Sequence, residues 1–197
     1  MKLIVVTNDR MPIDELIHTL LSIEPYIDAV ILREKSKTDT EILKLIQKLK
    51  AVNFNVKKMI VHGNPTIASS EQIDKVQLPG GLSLPDLLRK YPALSFGKSI
   101  HSLEDAIAAE ADGAETVLYG HLFKTNSKPG LQPRGTDDLR HIVSSLTIPV
   151  YAIGGILPSH IEQLREVGIA GVAVMSTIFE SDHPKNIAKE YYDAIHT

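Results

Sequence analysis

The histidine at position 121 stands where a strand-like run opens into a polar loop. Residues 115–119 (ETVLY) are followed by Gly120, and the loop then runs from His121 through LFKTNSKPG. An imidazole titrates near neutral pH and can both accept and donate a proton, which suits acid/base catalysis. It can equally hydrogen-bond a loop carbonyl and serve only structure. The residues alone leave both roles open for His121.

A metal site is a third possibility for this histidine. His62 ends a strand-like run and His101 follows another, and three imidazoles can hold zinc. No Asp or Glu obviously accompanies them at the strand ends, and their spacing is not that of a His-x-His or His-x-x-x-His pair. We therefore expect no metal site.

Two later turns have the composition of a phosphate site. Gly154-Gly155 lie in AIGGILP (152–158), and Met175-Ser176 lie in VAVMSTIF (172–179). Glycines let backbone N–H groups approach an anion, and the start of a helix adds partial positive charge. The alternative is that the glycines only make a tight turn and that Ser176 only caps a helix. We favour the phosphate interpretation because the two turns occur together.

Further polar residues follow other strand-like runs and are candidates for ligand contacts. Arg33 and Lys35 are cationic and could hold anionic groups, Ser99 ends a run, and the loop after residue 119 adds Thr125 and Lys128. These residues can share one pocket only if the strands that precede them are parallel and end at the same edge.

The elements needed for that arrangement are present in the sequence. The predicted strands are residues 3–7, 28–33, 57–62, 75–78, 95–99, 115–119, 148–153 and 171–175. Amphipathic helices are predicted at 38–52, 102–113, 157–168 and 182–196, with start and stop residues such as Thr38, Ser102 and Gly168. Strict strand–helix alternation favours a parallel sheet, and eight strands favour a closed (β/α)8 barrel over an open doubly wound sheet. We predict a minimal (β/α)8 TIM barrel, one domain over residues 1–197.

Composition limits the classes of function. The chain has 43% hydrophobic and 23% charged residues, a net charge of −3 and no basic block, so it does not resemble a nucleic-acid-binding protein. The absence of cysteine fits a reducing compartment and excludes thiol chemistry. No apolar run approaches the roughly 20 residues of a membrane span. We expect a cytoplasmic protein that binds neither nucleic acid nor membrane.

Six segments carry a resemblance to a known family. They are LREK (32–35), SIHSLEDAIAAE (99–110), YGHLFKTNSKPG (119–130), RG (134–135), IPVYAIGGI (148–156) and GVAVMSTIF (171–179). In this order and spacing the chain resembles the thiamin phosphate synthase superfamily from its first strand to its last helix. Within that superfamily it resembles the TenI-type thiazole tautomerases.

The choice between these two branches depends on departures from the synthase pattern. Synthases hold Mg²⁺ with acidic residues after strands 3 and 4, where this chain has His62-Gly63 and LPGGL (78–82). Mg²⁺ prefers anionic oxygen ligands, which these positions do not supply. Synthases also tend to have proline in place of His121, whereas tautomerases have a GHxFxT run that matches residues 120–125.

The resemblance therefore implies an isomerase, a thiazole tautomerase of thiamin biosynthesis. It implies cofactor-free isomerisation of a carboxythiazole phosphate tautomer, with His121 as the acid/base and the phosphate held by the loops that contain Gly155 and Ser176. It also implies a small-molecule thiazole phosphate as the partner and a homo-oligomer, a dimer or larger. The alternative is a synthase-like phosphate-binding protein with a residual transferase or regulatory role. A metal hydrolase using the three histidines is a further rival.

Overall fold

The strands form a closed, entirely parallel barrel. A computed structural model describes residues 1–124 and 132–197 of the chain, and within them each strand pairs with the next while the last pairs with the first. The strands are β1 (Lys2–Val6), β2 (Ala29–Leu32), β3 (Met59–His62), β4 (Lys75–Leu78), β5 (Ser95–Ile100), β6 (Thr116–Gly120), β7 (Val150–Ile153) and β8 (Gly171–Val174). The predicted (β/α)8 barrel is confirmed.

Helices alternate with the strands and begin and end at identifiable residues. They are α1 (Ile13–Ile23), α2 (Asp39–Ala51), α3 (Pro65–Ser70), α4 (Leu84–Lys90), α5 (Leu103–Ala111), α6 (Gly135–Ser145), α7 (Ile161–Val167), α8 (Ser176–Phe179) and α9 (Pro184–His196). Thr38 begins α2 with a full capping box, in which its hydroxyl accepts from Glu41 N and the Glu41 carboxylate accepts from Thr38 N. Gly168 ends α7 with a φ of 87°, a left-handed conformation that glycine adopts without strain.

The strand side chains alternate between two apolar regions. Leu3 and Val5 of β1 belong to the larger core that also includes helix residues such as Leu45, whereas Ile4 and Val6 belong to a smaller cluster of alternate strand positions. Strands buried on both faces need nearly continuous apolar sequence, which is the pattern that predicted them. The smaller cluster lies inside the barrel, and some of its residues, such as Val6 and Ile31, also line the cavity at the strand ends.

No helix in the described ranges is long and apolar enough to cross a lipid bilayer.

Candidate functional site

A cavity of about 340 Å³ opens among the carboxyl-terminal ends of the strands. Every predicted site residue that the structure describes lines it: Arg33, Lys35, Ser99, His121, Gly154, Gly155, Met175 and Ser176. His62 and His101 also line it. Thr125 and Lys128 lie outside the described residues. The parallel topology thus brings residues from six strand ends, far apart in sequence, to one concave surface of a size suited to a small molecule.

Arg33 and Lys35 line this cavity, whereas Glu34, the residue between them, does not. Glu34 is buried, and its carboxylate pairs with Lys37, which lies 3.5 Å from a carboxylate oxygen of Asp9 as well. The backbone N–H of Arg33 donates to the hydroxyl of buried Thr7 at 2.8 Å, which ties the end of β2 to the end of β1. Two cations therefore lie on the cavity wall without Glu34 to neutralise them.

The β7 turn contacts the β6 loop so closely that only glycine fits. A Cβ on Gly154 would lie 2.7 Å from His121 Cα, and one on Gly155 would lie 2.3 Å from the carbonyl oxygen of Lys124. Both glycines have positive φ, 109° and 65°. Two backbone hydrogen bonds join the segments, from Leu122 N to Ile153 O and from Phe123 N to Gly154 O. The glycines thus have a structural cause of their own, in addition to any contact with an anion.

The other turn predicted to bind phosphate, Met175-Ser176, leads into the short helix α8. Ser176 and Thr177 are its first two residues, and both line the cavity. The first N–H groups of a helix have no acceptor within the helix and are available to an anion. Because α8 has only 4 residues, these individual N–H groups matter more here than a helix dipole.

His121 is buried and hydrogen-bonded on one ring nitrogen. Its Nε2 lies 2.8 Å from the carbonyl oxygen of Gln132. A carbonyl can only accept, so Nε2 carries a proton, and in the neutral imidazole Nδ1 then has the lone pair. Nδ1 is buried and has no partner among the described residues. One ring nitrogen thus makes the hydrogen bond to a loop carbonyl that the sequence analysis considered, and in the neutral ring the other has the lone pair that a proton acceptor needs.

The other two histidines on the cavity wall differ in their surroundings. His101 Nδ1 lies 2.8 Å from Gly120 O, so it donates that hydrogen bond and links the ends of β5 and β6. Burial, followed by the positive charges of Arg33 and Lys35, lowers the pKa of His62 to about 4. His62 is therefore neutral at pH 7.

Gln77 is a cavity residue that the sequence analysis missed. It lies within β4, not after it, and its Nε2 donates to Ser99 Oγ at 3.1 Å. That leaves the hydroxyl proton of Ser99 free to donate into the cavity. Gly97 makes room for it, because a Cβ there would lie 2.5 Å from Gln77 Oε1. The available signal was the alternation in KVQL, which places Gln77 on the inner face of β4.

Comparison with known proteins identifies the family of this barrel. The model of the thiamine monophosphate synthase family matches residues 3–178. The chain belongs to the thiamine monophosphate synthase family.

Relatives in this family are similar over most of their length. A putative thiamine-phosphate synthase 2 from Aquifex aeolicus is 34% identical over 151 residues, which cover 76% of this chain and 81% of that protein. A thiamine-phosphate synthase from Clostridium tetani is 31% identical over 164 residues, covering 81% and 78%. The solved structure of a thiamine phosphate pyrophosphorylase from Pyrococcus furiosus matches with a TM-score of 0.87 at 27% identity, over 99% of this chain and 95% of that chain. Family membership supports a role in thiamin biosynthesis.

These names contradict the predicted isomerase. The relatives are named as synthases, which join two substrates by a transfer, and not as tautomerases. The prediction of an isomerase depended on two features of the sequence. One was a short run, residues 120–125, which ends outside the described residues, and the other was the lack of carboxylates at the two positions where synthases hold Mg²⁺. Similarity over about four fifths of the chain to a synthase weighs more than that run.

The resemblance to synthases implies a Mg²⁺ ion, but the residues at the corresponding positions of this chain do not suit one. His62 ends β3 and Gly63 follows it, and LPGGL spans the end of β4, so neither position offers a carboxylate. Within residues 1–124 and 132–197, no group of three or more His, Cys, Asp or Glu side chains could hold a metal ion. The charges that lower the His62 pKa are those of Arg33 and Lys35, and these cations would also repel a metal ion.

Proposed function

We propose that this protein acts in thiamin biosynthesis by binding a thiazole phosphate in the cavity at the barrel mouth. It is a phosphate-binding relative of thiamine-phosphate synthase, with transfer activity well below that of a full synthase. A location in the cytoplasm and assembly into a homo-oligomer are parts of the same proposal, and light scattering of the purified protein measures the second.

The observation that carries the proposal is the presence of two kinds of anion-binding group around one cavity. The β7 turn and the start of α8 line it and can offer backbone N–H groups, and Arg33 and Lys35 line it from the end of β2. The apolar interior residues Val6, Ile31 and Leu118 also line the cavity and suit the ring of a small heterocycle. A small molecule with a phosphate at one end and a polar group at the other matches this lining.

Low transfer activity is proposed because the leaving group of a synthase substrate is a pyrophosphate. That group carries several negative charges, and Mg²⁺ with carboxylate ligands would be needed to hold and neutralise it. The positions at the ends of β3 and β4 offer an imidazole and backbone groups instead. Arg33 and Lys35 remain as cationic contacts for it.

A full thiamine-phosphate synthase is a second candidate, favoured by the names of the relatives. It requires that cations alone, without metal-binding carboxylates at these positions, bind and release pyrophosphate.

One pair of measurements tests the proposal and separates the two candidates. Calorimetry with the phosphate of 4-methyl-5-(2-hydroxyethyl)thiazole should detect binding to the wild type, and the unphosphorylated alcohol should bind at least tenfold more weakly. Thiamine phosphate and pyrophosphate are then measured after mixing the protein with both synthase substrates and Mg²⁺. Turnover near the median enzyme rate of about 10 per second would establish the full synthase. No detectable binding of the phosphate would refute both candidates.

A further inference from the structure

A buried tyrosine on the last helix joins the two turns of the candidate phosphate site. Tyr191 on α9 is 0% exposed. Its hydroxyl oxygen lies 2.6 Å from the carbonyl oxygen of Ile156 and 3.2 Å from Thr177 Oγ1. Ile156 directly follows Gly154-Gly155 after β7, and Thr177 is the second residue of α8 after β8. One phenol therefore contacts both turns at once.

The direction of the two hydrogen bonds follows from the atoms involved. A phenol has one proton and a carbonyl can only accept, so the Tyr191 proton goes to Ile156 O. The Tyr191 hydroxyl also faces Thr177 Oγ1, its longer contact at 3.2 Å, so the two acceptors share one phenol proton. Burial raises the pKa of Tyr191, so the phenol keeps its proton and this arrangement holds at neutral pH.

Packing alone does not account for a hydroxyl at this position. Tyr191 belongs to a buried stripe of α9 that includes Ala188 and Ile195, and phenylalanine would fill the same apolar space. A hydroxyl placed there is useful only if its partners are to be held in place. Both partners belong to the cavity wall, whereas Tyr191 itself does not line the cavity.

We propose that Tyr191 is a positioning residue for phosphate recognition, which holds the β7 turn and the start of α8 at the separation that a bound phosphate requires. The inference rests on the proposed function, since it concerns the same site. Tyr191 touches no ligand; it acts through Ile156 and Thr177. Its effect should therefore be confined to the phosphate end of the ligand.

The test compares two ligands on matched variants. Tyr191→Phe removes only the hydroxyl, and Tyr192→Phe makes the same change at the neighbouring, partly exposed position of the same helix. Dissociation constants are measured by calorimetry for the thiazole phosphate and for the thiazole alcohol. We expect Tyr191→Phe to bind the phosphate roughly tenfold more weakly, the loss of about one buried hydrogen bond, and to bind the alcohol as the wild type does. Tyr192→Phe should change neither constant.

Two more measurements separate positioning from general destabilisation. Thr177→Val should also weaken phosphate binding, and the double variant should lose no more than the larger single loss, because the Thr177 hydroxyl acts through its contact with Tyr191. Thermal unfolding should show Tyr191→Phe folded, with a Tm lower by about 2–4 °C. Equal weakening for both ligands, or unchanged phosphate binding by Tyr191→Phe, would overturn the inference while the proposed function stands. Absence of phosphate binding by the wild type overturns both.

Discussion

His62 should make the protein less stable in mildly acidic solution. Burial, followed by the charges of Arg33 and Lys35, lowers the pKa of its imidazole from an ordinary 6.5 to about 4 in the folded protein. Between these two values the unfolded chain binds a proton at this residue and the folded chain does not. The unfolded state therefore gains protons first as the pH falls, and stability contributed by neutral His62 is lost from about pH 6.5 down to about pH 4.

The size of the effect follows from the same two values. The full difference between the two pKa values corresponds to at most about 3.4 kcal/mol of unfolding free energy, of which about 1.8 kcal/mol is lost between pH 7 and pH 5. His62 is only half-buried, so solvent screens part of this interaction and we take about half of it. The wild type should lose about 1 kcal/mol of unfolding free energy between pH 7 and pH 5 because of this residue.

Urea denaturation at pH 7, 6 and 5 measures this loss. His62→Asn keeps a polar side chain but cannot titrate, so its unfolding free energy should fall by about 1 kcal/mol less than that of the wild type over the same range. His18→Asn is the matched control, since His18 is exposed on α1, and it should follow the wild type. The reasoning is refuted if wild type and His62→Asn lose the same free energy between pH 7 and pH 5.

Two other substitutions test the cavity wall. Gly155→Ala would place a Cβ 2.3 Å from Lys124 O at a φ of 65°. We therefore expect the free energy of unfolding, measured with urea, to fall by about 2 kcal/mol or more and phosphate binding to be lost. An unchanged unfolding midpoint would show that the β6 loop moves aside freely. Arg33→Gln should weaken the binding of inorganic pyrophosphate roughly tenfold at low salt and reduce the salt dependence of that binding. Arg10→Gln removes the same charge from an exposed position and should cause no comparable loss. Equal losses in both variants would mean that only net charge matters.

Several strands were predictable because they are apolar on both faces, as β2 (AVIL) is, and the others because short strand-like runs alternate with helical segments. The shortest prediction, residues 75–78, matches β4 residue for residue. The predicted start of β7 at residue 148 is two residues early, since β7 begins at Val150. Pro149 has no N–H to give to a strand ladder, and only its carbonyl takes part, accepting from Val117 N.

The cavity was predictable in outline because a parallel barrel brings the residues that follow its strands to one end. Its hydrogen bonds were not, because they join residues distant in sequence. The proton on His121 is fixed by Gln132, and the hydroxyl of Ser99 is fixed by Gln77, 22 residues before it. No local spacing rule connects such pairs.

The glycines of the β7 turn explain why a phosphate site cannot be deduced from a Gly-Gly pair alone. Contact with the β6 loop requires glycine at 154 and 155 whether or not an anion binds. What distinguishes a phosphate site is the wall around the turn: cations on another strand end, N–H groups at the start of α8 that have no acceptor within the helix, and a buried phenol that contacts both the turn and the helix. These features come from β2, β8 and α9, and only the closed barrel brings them together. Recognition of a phosphate therefore depends on contacts between elements, and the comparison of the phosphorylated and unphosphorylated thiazole is the measurement that examines those contacts directly.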